Sequence, residues 1–297
     1  MRAGRYALNG KSGLFLAGND QRLLDWSILQ SPAVPAPVRA AAAMAMQDAS
    51  DASFCAALPV VEEFLSRDGK ALQGAPALDS SLQFNPPVRP QNFICVGLNY
   101  RDHAKESDMK LPQVPLLFAK TANAIHAHNR PVPLPAESSQ VDYEAELAVV
   151  IGKTCSRVAA ADALQYVAGY TCGNDISARD FQFADNQWYR GKSADCFGPI
   201  GPWIVSQGEI GDGSGLRIQL RLNGNVMQDS TTSNLVFDIP ALIEYISRSI
   251  TLNPGDVILT GTPPGVGFAR KPPVFLKSGD KMEVEIERVG TLVNQIA

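Results

Sequence analysis

The stretch Val141-Asp-Tyr-Glu-Ala-Glu-Leu-Ala-Val-Val-Ile151 decides how the chain is read. Its second half, Leu147 to Ile151, is a short unbroken apolar run, read as a buried strand. Its first half places acidic residues at 142, 144 and 146. Alternate residues of an extended chain share a face, so Glu144 and Glu146 project together, with side-chain bases roughly 7 Å apart. Two carboxylates on one face repel unless a cation lies between them, and hard oxygen ligands suit Mg²⁺, Mn²⁺ or Ca²⁺. A solvated acidic strand face gives the same pattern. Asp142 has the same parity, so spacing alone leaves open which two of the three would bind.

Further strands surround this one. Phe93-Ile-Cys-Val-Gly97 is a second buried run. Leu216, Ile218, Leu220 and Leu222 alternate with Arg217, Gln219 and Arg221, and Asn223-Gly224 then signals a hairpin. Val257 to Thr260 and Met282 to Val289 extend the set. Helices are fewer: Val38 to Ala49, rich in alanine, then Val60 to Arg67, Arg157 to Val167, and Asp238 to Ser249. The last has Asp238 as N-cap, Pro240 in the first turn, and Leu242, Ile243, Ile246 and Ile250 on one face. The sum is a strand-dominated α+β chain. Asn85-Pro-Pro-Val-Arg-Pro90 disfavours any continuous element and marks a boundary. It divides residues 1–85, a small N-terminal α+β domain of glycine-broken strands and helices, from a larger domain over 90–297.

Composition removes several function classes. The 297 residues are 45% apolar and 19% charged, ordinary globular material able to bury a large core. The net charge of -4 and the absence of a basic run argue against nucleic acid as a partner. No apolar stretch is long enough to span a membrane, and Met1 to Ala17 lacks a signal-peptide pattern. The five cysteines are odd in number and widely spaced, which reads as reduced thiols in a cytoplasmic compartment. Thr260-Gly-Thr-Pro-Pro-Gly-Val-Gly267 is not followed by the lysine of a phosphate-binding P-loop, and no G-x-S-x-G elbow occurs.

Other polar groups carry candidate chemistry. In Asn99-Tyr-Arg-Asp-His-Ala-Lys-Glu106, His103 and Glu106 meet at i, i+3 if the segment is helical, an arrangement that suits a general base. A surface histidine in a charged loop is the plain alternative. His126 and His128 form an H-x-H pair with no third ligand nearby in sequence. Gly173-Asn-Asp-Ile-Ser-Ala-Arg-Asp180 holds Asp175 and Arg179, and Trp188-Tyr-Arg-Gly-Lys-Ser193 holds Lys192.

Taken in order, these segments resemble the fumarylacetoacetate hydrolase (FAH) family. The matching blocks are Val96–Glu106, Val141–Leu147 with its apolar extension, Asn174–Asp180, Gly191-Lys192 leading to Phe197–Pro202, and Leu259–Gly267. They run over about residues 93 to 290, and the first 85 residues match loosely. The resemblance implies an FAH-type mixed β-sandwich/β-roll catalytic domain. It implies Glu144, Glu146 and Asp175 as ligands of Mg²⁺ (or Mn²⁺ or Ca²⁺), His103 and Glu106 as the base pair on a closing loop, and Lys192 as the group stabilising the substrate anion. Arg179, Gln182 and Thr262 fall where members grip the substrate's carboxylate and keto oxygens. The branch acting on fumarylacetoacetate itself has an extra acidic ligand, whose counterpart here falls near Val96, so the chain is similar to the smaller-substrate, acylpyruvase- and isomerase-like branch. The implied activity is metal-dependent hydrolysis of a C–C bond in a 2,4-dioxo acid through a metal-stabilised pyruvate enolate. The alternatives are an isomerase of the 2-hydroxyhepta-2,4-diene-1,7-dioate type, as in aromatic compound catabolism, an oxaloacetate decarboxylase, and a non-enzymatic metal-stabilised binding protein. A small-molecule 2-keto or 2,4-dioxo acid is the implied partner, and a homodimer the implied assembly.

Overall fold

The computed structural model describes residues 1–18, 22–48, 50–68, 72, 74–106, 110–184 and 187–297, with the side chains of 104–106 left out. The chain opens with β1 (Arg2–Leu8) and β2 (Lys11–Ala17), joined through Asn9 (φ 51) and Gly10 (φ 75), the left-handed pair a two-residue hairpin needs. β3 (Leu23–Asp25), α1 (Ala36–Asp48), α2 (Asp51–Asp68) and β4 (Gln83–Asn85) follow. Next come β5 (Phe93–Gly97), α3 (Arg101–Glu106), β6 (Leu116–Lys120), β7 (Ile125–Ala127), β8 (Val141–Asp142) and β9 (Ala145–Ile151). Then come β10 (Val167–Asn174), β11 (Ser177–Ala178), α4 (Arg179–Ala184), α5 (Tyr189–Lys192), β12 (Gly198–Ser206) and α6 (Gln207–Ile210). The chain closes with β13 (Arg217–Leu222), β14 (Asn225–Thr231), α7 (Ile239–Ser247), β15 (Val257–Leu259), β16 (Lys281–Ile286) and β17 (Gly290–Gln295).

One mixed sheet runs β3-β2-β1-β12-β10-β9-β15-β5-β6, with β4 added on β1 and β7 on β12. Strands from before residue 85 therefore share this sheet with strands from after residue 90, through Arg2 opposite Val205 and Ala3 opposite Ile204. A second sheet, β14-β13-β16-β17, packs on one face of the first. β9 lies at the centre, and all seven of its residues are buried. Leu147, Val149 and Ile151 enter one core with Ile218, Leu220, Val284 and Leu292 of the small sheet and Leu242 and Ile246 of α7. Ala148 and Val150 enter the other, with Ala42 and Ala45 of α1 and Phe54, Leu58 and Val61 of α2. The unbroken apolar run follows from this: a middle-layer strand has no wet face. Each buried Leu, Val or Ile stabilises the fold by about 2 kcal/mol relative to exposure.

Most expected elements are present, with differences. The Asn223-Gly224 hairpin links β13 to β14, with φ of 52 and 80 at the two residues. Gln219, expected on the wet side, is buried. α7 begins after Asp238, whose side chain accepts from Ala241 N–H, but it ends at Ser247, and Ile250 lies beyond it, 36% exposed. Residues 157–167 form a 3₁₀ helix, Ala160–Tyr166, rather than an α-helix, and no side chain caps its start. α2 begins at Asp51, ahead of the expected Val60, and carries Pro59 inside it. Burial of Phe54, Leu58, Val61 and Phe64 outweighs the backbone hydrogen bond that proline removes. Among the described residues no helix is long and apolar enough to cross a membrane.

His126 and His128 do not converge on a metal. His126 Nε2 meets the Pro131 carbonyl at 2.9 Å, and His128 Nδ1 accepts the Val293 N–H at 3.1 Å. The His128 ring stands edge-on to Phe84, 4.8 Å between centroids, and burial pulls its pKa from 6.5 down to about 4. Between those values the unfolded chain binds the proton and the folded chain does not. Stability is therefore complete above about pH 6.5 and falls as the pH drops toward 4. Urea unfolding of the parent and of His128→Gln should show a stability gap that narrows from pH 7 to pH 5. A gap independent of pH would remove His128 as the cause.

Candidate active site

Three carboxylates meet at the junction of β9 and β10. β8 stops at Asp142 and β9 starts at Ala145, so Glu144 sits in a break between strands and Glu146 in the second position of β9. Asp175 follows the end of β10, and its N–H donates to the Glu144 carbonyl at 2.9 Å. Antiparallel pairing of β9 with β10 thus joins residues far apart in sequence. Each of Glu144, Glu146 and Asp175 offers an oxygen within 4.8 Å of the others, and all three side chains are buried.

Hydrogen bonding sets Asp142 apart from the other two acidic residues of the segment. Asp142 Oδ1 accepts the N–H groups of Tyr143 (2.9 Å) and Gly267 (2.7 Å). Its Oδ2 accepts Arg179 Nε (2.9 Å), Arg179 Nη2 (2.8 Å) and Phe268 N–H (3.1 Å). Five donors leave Asp142 no lone pair for an ion. Gly267 is required here, because a Cβ would lie 1.9 Å from the Val274 carbonyl and 2.5 Å from Asp142 Oδ1.

Cations surround two of the three clustered carboxylates. Lys192 Nζ donates to Glu144 Oε2 at 2.8 Å and Asp175 Oδ2 at 2.7 Å, and it lies 4.9 Å over the Phe118 ring. Arg179 Nη2 pairs with Glu144 Oε1 at 2.7 Å. Burial works to raise the Glu144 carboxyl, yet Lys192 and Arg179 outweigh it and hold it at about 2. Glu146 goes the other way. Burial, then the charges of Asp175 and Glu144, push it well above the usual carboxylate range. Among the described residues no cation pairs with it, and its Oε2 accepts the Gly261 N–H at 2.7 Å. Gly261 has φ 104, a conformation that turns its N–H inward and disfavours a side chain. Burial also opposes the Lys192 charge, but Asp175 and Glu144 prevail and its pKa is raised. It is a fixed cation.

The donor set fits a hard divalent ion. It is all oxygen and buried, and it includes a Glu146 carboxylate with no counter-charge. Asp175 Oδ1 is also buried without a hydrogen-bond donor of regular geometry among the described residues, its one partner being the ion-paired Lys120.

The remaining expected residues are placed as follows. Arg179 and Gln182 are buried on α4, with Arg179 Nη1 donating to Gln182 Oε1 at 2.9 Å and the guanidinium 4.5 Å over the Phe268 ring. Arg179 is thereby engaged with protein partners. Thr262 is buried, and its Oγ1 accepts Gln228 Nε2 at 2.8 Å. His103 is half-buried on α3, which forms as the i, i+3 spacing requires. That helix is fastened by Asp102, which accepts from Ser230 Oγ (2.6 Å) and Asn234 Nδ2 (2.9 Å), and by Arg101 on the Leu235 carbonyl. The Glu106 side chain lies outside the described residues. Val96, the position of the ligand missing from this branch, is core. Two buried polar groups beside the cluster escaped the sequence reading. Lys120 is buried against Asp175, and its signal was a lysine closing the apolar run Leu116–Ala119. Gln228 bridges Ala145 N–H, Thr262 and the Pro263 carbonyl, and nothing in the sequence marked it. A cleft of ≈ 630 Å³ is lined by Arg5, Tyr6, Lys11, Asp51 and Arg89 and shares no residue with the acidic cluster. Chemistry rather than volume selects the site.

The strand-rich α+β fold holds a buried carboxylate triad that could bind a metal ion, with a buried lysine beside it. The family model "Fumarylacetoacetate (FAA) hydrolase C-terminal" matches residues 92–297, and the chain belongs to the fumarylacetoacetate hydrolase family. It is 48% identical over 220 residues to the Bos taurus protein named mitochondrial oxaloacetate tautomerase FAHD2A, covering 73% of this chain and 70% of that one. The solved fumarylacetoacetate hydrolase of Exiguobacterium antarcticum superposes with a TM-score of 0.81 at 33% identity, over 100% of this chain and 99% of that one. A 5-carboxymethyl-2-hydroxymuconate delta-isomerase from Mycobacterium smegmatis does so at 0.74 and 35%, over 100% and 98%. The chain is accordingly an enzyme of this family.

Removing the Asp142 carboxylate would take the acceptor from the buried Arg179 Nε and from three backbone N–H groups. Asp142→Ala should lose about 3 kcal/mol of stability, read as a lower urea midpoint. A loss under about 1 kcal/mol would mean that this carboxylate does not hold the site together.

Proposed function

We propose that the chain interconverts the keto and enol forms of a small 2-oxo dicarboxylic acid of the oxaloacetate type. Lys192 carries this reading: a buried, permanently charged ammonium that spends two of its three N–H groups on Glu144 and Asp175 and keeps one, among the described residues, for a substrate oxygen. The 48% identity to a relative named oxaloacetate tautomerase supports the choice of substrate class. Glu144, Glu146 and Asp175 would hold Mg²⁺ or Mn²⁺, which supplies Lewis acidity at the substrate's carbonyl oxygen. His103 takes a proton from C3 of the keto form and returns it to the enol oxygen, with Glu106 the partner that the family resemblance implies for it. Lys192 stabilises the enolate between the two steps, help typically worth ~3 kcal/mol per donor.

Hydrolysis of a 2,4-dioxo acid is the second reading, favoured by full-length similarity to a solved fumarylacetoacetate hydrolase. There His103 would activate water for attack at C4, the C3–C4 bond would break, and the pyruvate enolate would be protonated at C3. The two readings differ in whether water is consumed. The five unbridged cysteines suit a reducing compartment such as the cytoplasm, and a homodimer is the family expectation, which light scattering reads directly.

The test is NMR in D₂O with oxaloacetate and with acetylpyruvate, each with Mg²⁺ and with chelator. Accelerated loss of the oxaloacetate enol signal without new products, abolished by chelator, is the expected result. Pyruvate and acetate from acetylpyruvate would establish the hydrolase instead. Lys192→Met should lower turnover by ~100-fold or more while the fold persists, and unchanged turnover would end its assigned role.

A further inference from the structure

Lys120 is the last residue of β6, the terminal strand of the large sheet, yet its side chain is fully buried. Its ammonium pairs with Asp175 Oδ1, donates to the Ile176 carbonyl at 3.0 Å, and donates to the Lys192 carbonyl. Two backbone carbonyls accept from the ammonium and Asp175 Oδ1 lies in ion-pair contact with it, so it is enclosed by protein partners. The two buried lysines divide one task. Lys192 faces Asp175 Oδ2 with a donor to spare, while Lys120 holds the opposite oxygen and the backbone from which Lys192 projects. β6 also supplies Phe118 beneath the Lys192 ammonium, so one edge strand carries both supports. Pairing of Phe93 with Lys120 fixes that strand's register against β5. Burying an ammonium is costly, and an apolar side chain would fill a purely packing position at less cost.

We propose that Lys120 is a positioning residue, which fixes the Asp175 carboxylate and the Lys192 backbone so that the acidic triad keeps one geometry for a divalent ion. The proposal rests on the metal-site reading above. It makes a prediction of sign. A cation beside a ligand repels an incoming dication, so if Lys120 acted through charge alone, its removal would tighten metal binding. If it acts by holding Asp175, its removal loosens binding.

The experiment is Mn²⁺ titration of the chelator-treated full-length protein, followed by the electron paramagnetic resonance signal of free Mn²⁺. Parent, Lys120→Met and Lys120→Gln are compared, with circular dichroism melts to establish folding. We expect Lys120→Met to weaken Mn²⁺ binding by about 10-fold or more, the usual scale for groups that orient metal ligands. Lys120→Gln, which keeps an N–H₂ group for the two carbonyls, should weaken it less. Equal or tighter binding in either folded variant overturns the proposal and leaves the metal site standing. A parent that binds no Mn²⁺ overturns both. Failure of both variants to fold would assign Lys120 to the fold alone and overturn the positioning role.

Discussion

Everything around the site depends on the cost of burying charge. Asp142, Glu144, Glu146 and Asp175 are all buried, and so are Lys120, Arg179 and Lys192. Each of these groups would lose several kcal/mol on leaving water unless it were paired and hydrogen-bonded. The pairing is nearly complete. Asp142 is saturated by five donors, Arg179 joins it to Glu144, and Lys192 joins Glu144 to Asp175. Glu146 alone lacks a counter-charge among the described residues, and there an added cation has most to gain. The network is therefore a structural bond between β8, β9, β10, α4 and α5 that leaves Glu146 without an ion-pair partner among the described residues.

The sheet makes this burial affordable. β9 is covered on one face by α1 and α2 and on the other by the β14-β13-β16-β17 sheet with α7, so its end lies deep in the molecule. A carboxylate placed there is dry, and its interactions with nearby cations are far stronger than in water. The loop after β15 closes over it, with Gly261 donating to Glu146 and Gly267 and Phe268 to Asp142. Both glycines serve backbone approach: one takes a left-handed turn, and the other has no room for a methyl group.

Much of this was legible in the chain. The runs Phe93–Gly97 and Leu147–Ile151 became β5 and β9, and Asn223-Gly224 became a hairpin, because local pattern and turn chemistry agree with the final packing there. The boundary residues were less legible. Ile250 keeps the helical spacing but lies beyond the end of α7, and residues 157–167 settled as a 3₁₀ helix without a side-chain cap. Lys120, marked only by its place at the end of an apolar run, and Gln228, unmarked, were missed because their partners come from segments far away in sequence.

The sequence by itself determined the residue types: short buried strands, an acidic cluster near the start of β9, and a lysine following it in motif order. These are properties of periodicity and local chemistry. Only the tertiary structure decided which acidic residues were left with unfilled oxygens. Parity made Asp142, Glu144 and Glu146 equivalent, whereas folding brought Arg179, Gly267 and Phe268 onto Asp142 and left Glu146 with one backbone donor and no cation. Hydrogen-bond saturation is a three-dimensional quantity, because the donors that supply it arrive from other strands and loops.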